Sequence, residues 1–454
     1  MIGRLASICI IVVLGLCASR ADTTFVSVGV ARIDISPSGP VRLHAFPHRG
    51  RHSDVTAVSL PIQARAIAIG AEGQNPVLMV TADLLGVSAA MKSELLERLS
   101  RRVGFEDPAR LSLTASHTHS APALADVAPY IFRSPPTAAQ SSRIDAYRSE
   151  LMDRLEEVAV QALADRQPAT LSLRHGELEF AVNRRVLEEG RWTGFGENPA
   201  GPTARQMPMI AVRAPDGRLR AVWANYACHA VNWLEPSVHA DWVGEAAREI
   251  ETRHRGSVAL VTIGCAGDQN PTGIQDNQAA NHGRNVADEV DRLLKESGTP
   301  LGGPPVAGLR EFPLPLAVPL AEEVWQQNPD HWYATILRGR LASGEPLPGT
   351  VPYVAQTWAF ANDFTMVFLA GEVVLDYALR LRRERNDPTL WVTAFANDAP
   401  GYIPSRRMLT LEGGYEVDAS RLTYGLPTRF APEAEDRIVA EVHALLAGGS
   451  EDPK

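Results

Sequence analysis

Apolar and polar residues alternate through Phe25–Pro37 ("FVSVGVARIDISP"), and the alternation ends at the proline. A period of two is that of a strand with one buried face. The runs "LPIQARAIAIG" (60–70) and "PVLMVTADLLG" (76–86) are more continuously apolar and read as strands too. From Ser88 to Arg102 the spacing changes, with Met91, Leu95, Leu96 and Leu99 on one helical face. "ARLSLTAS" (109–116) returns to strand character, which makes a β-α-β unit.

The pattern recurs. A long amphipathic helix over Ile144–Asp165 precedes the strand "ATLSLRHG", and "LRAVWANYACHA" is a strand ending at His229. A helix follows over Trp242–His254, then the buried-type strand "SVALVTIG", which runs into "GCAGDQNP". Asn277–Lys295 is a polar helix. "FTMVFLAGE" is a strand handing over to a helix that opens at Glu372, "TLWVTAFAND" is another strand, and Ala434–Leu446 is a closing helix. These elements predict an α/β fold, a mixed β-sheet core with flanking helices. The Pro/Gly-rich stretches Gly298–Gly308 and Ser343–Pro352 are linker candidates, but neither is long or polar enough to divide the chain. One large domain over residues 22–454 is the expectation.

The first residues follow a different rule. Met1–Arg4 carries one positive side chain, Leu5–Leu16 is a short apolar run, and Ser19-Arg20-Ala21 is a small-x-small cleavage pattern. This reads as a secretory signal peptide over 1–21, too short to span a membrane, and implies a secreted or periplasmic mature chain. Cys17 offers a lipoprotein alternative, which bulky Leu16 disfavours. The formal charge of −9 over 454 residues argues against nucleic acid as a partner, because neutralising phosphates takes a basic face. Cys228 and Cys265 end neighbouring motif strands and are either a permitted disulfide or two small buried hydrophobes.

Chemistry concentrates where strands end. In open α/β sheets ligands bind beyond the carboxyl ends of strands. Asp83 stands at one such end, His117 and His119 at the next, and His229 at another. Asp268 and Asn270, Glu372, and Asn397 with Tyr402 follow three more. If the strand persists through Thr118, His117 and His119 share a face. Each residue also has a plain structural reading. The two histidines suit a solvated strand end, His229 a hydrogen-bonded core position, and Glu372 the first turn of a helix. Together, two or three histidines and a carboxylate at one sheet edge make a zinc site with an open position.

The segments "GVARIDISPSGP", "QARAIAI…VTADLLG", "ASHTHSAP", "VNRR", "NYACHA", "GCAGDQNP", "LAGEVVLDYA" and "GYIPSRRMLTLEGGYE" occur in an order that resembles the neutral/alkaline (non-lysosomal) ceramidase family. The resemblance spans roughly Val28–Leu446 and covers the family's N-terminal catalytic domain, without its small C-terminal β domain. It implies Zn²⁺ held by His117, His229, Glu372 and Tyr402, with His119 assisting proton transfer. It further places Tyr415 on the scissile carbonyl and Arg184 in the active site. Imidazole, carboxylate and phenolate suit Zn²⁺, which lowers the pKa of a bound water to about 7 and polarises a carbonyl.

One departure matters. The family pattern G-D-x-S-P-N carries a serine where this chain has Asn270. Asparagine is no nucleophile here, though its amide donates to an oxyanion. Its other reading is a residue suited to a tight turn before proline. Hydrolysis would then use zinc-activated water, with His119 as general acid/base. The expected function is that of a secreted zinc amidohydrolase cleaving an N-acyl bond in a ceramide-like sphingolipid or another amide, with peripheral membrane contact for a lipid substrate. The alternatives are a metal-holding, non-catalytic binding protein and a zinc esterase or sugar-amide hydrolase on the same scaffold.

Overall fold

The computed structural model describes residues 25–44, 54–132, 134–318, 330–361 and 364–448. The expected signal segment 1–21 lies outside them. Along the chain the first strands are β1 (Val26–Asp34), β2 (Gln63–Gly70), β3 (Val77–Ala82), β4 (Leu111–Ala115), β5 (Gln167–Glu177), β6 (Ala181–Glu188), β7 (Arg191–Asn198), β8 (Gln206–Arg213) and β9 (Leu219–Tyr226). They continue as β10 (Val258–Ile263), β11 (Gln269–Pro271), β12 (Thr299–Leu301), β13 (Val306–Pro315), β14 (Thr350–Ala359), β15 (Thr365–Leu369), β16 (Glu372–Val373), β17 (Trp391–Thr393) and β18 (Tyr402–Ile403). The helices are α1 (Ala89–Val103), α2 (Ala138–Ala164), α3 (Asp241–Arg253), α4 (Ala279–Leu294), α5 (Trp332–Ala342), α6 (Leu375–Arg385), α7 (Ser420–Tyr424) and α8 (Glu433–Ala447).

A nine-stranded sheet runs in the order β10-β9-β8-β5-β1-β2-β3-β4, with β12 beside β5. The pairs β9–β10 and β3–β4 are parallel and the others antiparallel, so the sheet is mixed and the α/β reading stands. A second sheet, β13-β14-β15-β17, covers one of its faces. The alternation of strand side chains explains the burial. Ala64, Ala66, Ala68, Leu78, Val80 and Ala82 face α1 and α2, while Ile67, Ile69, Val77 and Met79 meet Trp358, Met366, Phe368 and Trp391 of the second sheet. With both faces covered, β2 and β3 read as continuous apolar runs. The far face of the second sheet packs Tyr353, Ala355, Val367 and Leu369 with Tyr377 and Leu381 of α6 and Ile438 and Val442 of α8.

Several expectations change at this level. Helix α2 starts at Ala138 rather than Ile144, because Thr137 and Gln140 form a capping box on a polar first turn. Helix α6 starts at Leu375, not Glu372. Glu372 belongs instead to β16, which pairs in parallel with β18. Both linker candidates are stitched into sheets, the first through β12 and β13 and the second through the start of β14. Cys228 and Cys265 do follow the neighbouring strands β9 and β10, and both are buried free thiols.

Candidate metal centre

Loops from both sheets converge on one point. Strand β4 ends at Ala115, and His117 takes a left-handed backbone with φ of 58°. The extended strand that would align His117 with His119 therefore stops short, yet the turn still sets their rings 4.8 Å apart. Thr118 bridges Ala230 in parallel and the His119 amide donates to the Ala230 carbonyl at 3.3 Å, which ties the loop after β4 to the His229 loop after β9. The Ala115 amide donates to the Phe395 carbonyl at 3.1 Å, joining the first sheet to the end of β17. The β16–β18 pairing puts Glu372 opposite Tyr402. Gly267 closes the set. A Cβ there would stand 2.5 Å from the Glu372 carbonyl, so only glycine lets the loop after β10 lie on β16.

His117 Nδ1 is 2.7 Å from the Leu85 carbonyl and His229 Nδ1 is 2.7 Å from the Ala266 carbonyl. A carbonyl only accepts, so each Nδ1 carries the proton and each Nε2 presents a lone pair. Both lone pairs face Glu372 Oε2, at 3.1 and 3.2 Å, and that oxygen receives no hydrogen bond from the described residues. Tyr402 Oη lies 3.3 Å from His229 Nε2, and His119 Nε2 lies 3.3 Å from His117 Nε2. Burial, aided by the Arg184 charge, pushes the His229 imidazole down to about 3, so it is neutral at ordinary pH.

No proton lies between His117 Nε2, His229 Nε2 and Glu372 Oε2, and although Arg184 Nη1 stands 3.1 Å from His229 Nε2, so close a set of buried acceptors fits a cation. Bonds of ~2.0–2.1 Å in a tetrahedron give ligand–ligand edges of about 3.3 Å, close to the separations seen. One ring nitrogen each of His117, His119 and His229 also lie within 4.8 Å of one another as a three-histidine group.

No protein-family model and no curated protein sequence matches the chain. Among solved structures, a ceramidase complexed with C2 is similar at 16% identity and a TM-score of 0.67. The neutral ceramidase of Pseudomonas aeruginosa is similar at 17% identity and the same TM-score. Each match covers 94% of this chain and 75% of the other. The fold is that of the neutral ceramidases.

On this neutral-ceramidase fold the remaining candidates cluster beside these groups. Arg184, on β6, places Nη1 3.1 Å from His229 Nε2 and 3.4 Å from Asn270 Oδ1. Asn270 lies on β11, opposite Val182 of β6, which accounts for its approach to Arg184. The Arg184 guanidinium carbon is 5.3 Å from the Tyr402 ring centre and 5.8 Å from that of Tyr415. Tyr415 packs edge-on to Tyr402 at 5.4 Å and to the exposed Phe195 of β7 at 5.0 Å. The structure thus assembles His117, His119, His229, Glu372, Tyr402, Arg184, Asn270 and Tyr415.

Other strand-end candidates serve the scaffold. Asp83 accepts from Gln63 and pairs with Arg65 at 3.3 Å. Asn397 accepts from the Leu113 amide at 3.0 Å. Asp268 accepts from the Leu375 amide at the start of α6 (2.8 Å) and from Asn183 Nδ2 (2.9 Å), with its carboxyl raised by burial to about 6. Two residues at the site escaped the sequence reading. Tyr424 donates to Glu372 Oε1, and Glu416 binds both Arg184 and Arg185. Glu416 had a visible sign, its place directly after Tyr415 in "GGYE". Tyr424, in "RLTYG", had none.

Proposed function

We propose that the protein is an exported, zinc-dependent hydrolase of N-acyl amides, with an amphiphilic, ceramide-like amide as its substrate class. The observation that carries this reading is the convergence of His117 Nε2, His229 Nε2 and Glu372 Oε2 as buried acceptors without a proton among them. Bound there, zinc would supply Lewis-acid activation of water and polarisation of the amide carbonyl.

The chain's own groups complete the chemistry. His119, 9% exposed beside His117, is placed to take the proton from the attacking water and return it to the departing amine. Arg184 keeps its charge in spite of burial, because Tyr402 and Glu416 outweigh the desolvation that would lower its pKa. It therefore offers a fixed positive charge to a developing oxyanion. Asn270 accepts from Arg184 through Oδ1, which leaves its NH₂ to donate. The Tyr415 hydroxyl, kept protonated by burial and the nearby Glu372 charge, is a further donor. With asparagine in place of a nucleophile, attack falls to water. That same residue is what favours the second reading, a metal-holding protein without turnover.

The test is zinc content of the purified mature chain, followed by a panel of N-acyl amides and esters. One zinc per chain with turnover of long-chain amides is expected. Stoichiometric zinc with no turnover selects the binding-protein reading, and a chain that takes up no divalent metal overturns the metal centre.

A further inference from the structure

We propose that Tyr424 sets how Glu372 binds the metal, by holding Oε1 in a hydrogen bond and leaving Oε2 as the single donor oxygen. The proposal rests on the metal-centre reading above. The two carboxylate oxygens have unlike surroundings. Oε1 accepts from the Tyr424 hydroxyl, and Oε2 faces two imidazole lone pairs with no hydrogen bond of its own. A carboxylate free at both oxygens can chelate, swing or rotate. One pinned by a phenol presents one oxygen in one direction, and such outer partners tune affinity.

Tyr424 is itself held from several directions, as a positioning group must be. It ends α7, and Gly425 after it takes a left-handed backbone with φ of 76°. A Cβ on Gly425 would come within 2.7 Å of the Tyr130 ring, so glycine lets that ring close over the turn. The Tyr130 amide donates to the Thr423 carbonyl at 3.0 Å, and Tyr333 of α5 donates its hydroxyl to the Gly425 carbonyl. The rings of Tyr130 and Tyr333 pack at a tilt, 4.2 Å apart. Beside Glu372 and Tyr424 lies a space of about 10 Å³ walled by Leu85, Val127 and Phe395 among others. That is at or below what one water needs, so solvent does not stand in for the phenol.

The experiment measures zinc affinity by chelator competition, and the visible spectrum of the Co²⁺-loaded protein, for wild type, Tyr424→Phe and Tyr147→Phe. The Tyr147 hydroxyl is also buried, but it donates to the Ile35 carbonyl, so it controls for losing any buried phenol. Tyr424→Phe should bind zinc 10–100-fold more weakly and shift the Co²⁺ bands, with Tyr147→Phe unchanged in both. A folded Tyr424→Phe with wild-type affinity and spectrum overturns the proposal. If Tyr424→Phe does not fold, Tyr333→Phe decides. It loosens the same turn from outside the site and must weaken zinc in the same direction, and wild-type affinity there overturns the proposal equally. Wild-type protein that binds no metal fails differently, because it removes the metal centre itself.

Discussion

Glu416 carries two arginines on one buried carboxylate. Oε1 takes Arg184 Nε at 3.0 Å, Oε2 pairs with Arg185, and Arg185 reaches on to Glu412 at 3.1 Å. Removing one partner of a buried pair strands the others without compensation. Glu416→Ala should therefore cost about 3–5 kcal/mol of unfolding free energy in a denaturant titration, and Glu416→Gln clearly less. A loss under 1 kcal/mol for the alanine variant would show that water or another acid reaches the arginines. His119 is tested at the same scale. His119→Ala should retain stoichiometric zinc and lose roughly 10²–10⁴ in turnover, whereas loss of the metal would make His119 a ligand. The residues of the centre were legible because their types are few and their motifs keep an order. The positions of Tyr424 and Glu416 relative to them depend on side-chain direction across distant segments, which no local pattern records.

At the scale of elements, the sequence located α1, α3 and α4 to within a few residues, and each buries one apolar stripe. It did not reveal β16 and β18, which are two residues each and too short to show any period. Nor did it reveal β13, at one edge of the second sheet, whose first six residues are exposed or half-buried without alternation and which buries only Phe312 and Leu314. The short β16–β18 pair nonetheless positions Glu372 against Tyr402, and two glycines make it possible. Gly371 has a φ of 78°, and a Cβ there would stand 2.6 Å from the Gly401 carbonyl. Gly371→Ala should force the two segments apart, lowering zinc occupancy along with the melting temperature. Full zinc occupancy in a folded Gly371→Ala protein would refute this account of the pair.

At the scale of the whole molecule, the centre draws on the ends of two sheets whose pairing is non-local, so periodicity could put Glu372 and His117 at strand ends, while naming them as ligands of one metal took the resemblance. The same burial that readies the centre leaves histidines neutral elsewhere. Burial lowers His44 and His239 to about 4 each, with Arg248 contributing at His239. A histidine depressed in the fold binds its proton more readily when unfolded. Its contribution to stability is therefore complete above the unfolded value of about 6.5 and is lost as pH falls toward 4. Asp268, raised to about 6, works the other way, losing stability as pH rises from about 4 to 6, so the wild-type curve alone mixes the two. A difference measurement separates them. His239 stacks on Trp233 at 3.8 Å and accepts the Asp241 amide through Nδ1, and an asparagine oxygen reproduces that acceptor without a titrating ring. In chelator, His239→Asn should be the less stable protein at pH 7. The gap should close as pH falls from 6.5 to 5, at up to about 1.4 kcal/mol per pH unit, one proton's worth. Parallel stability curves would mean that His239 titrates alike in both states and that its burial does not hold it neutral.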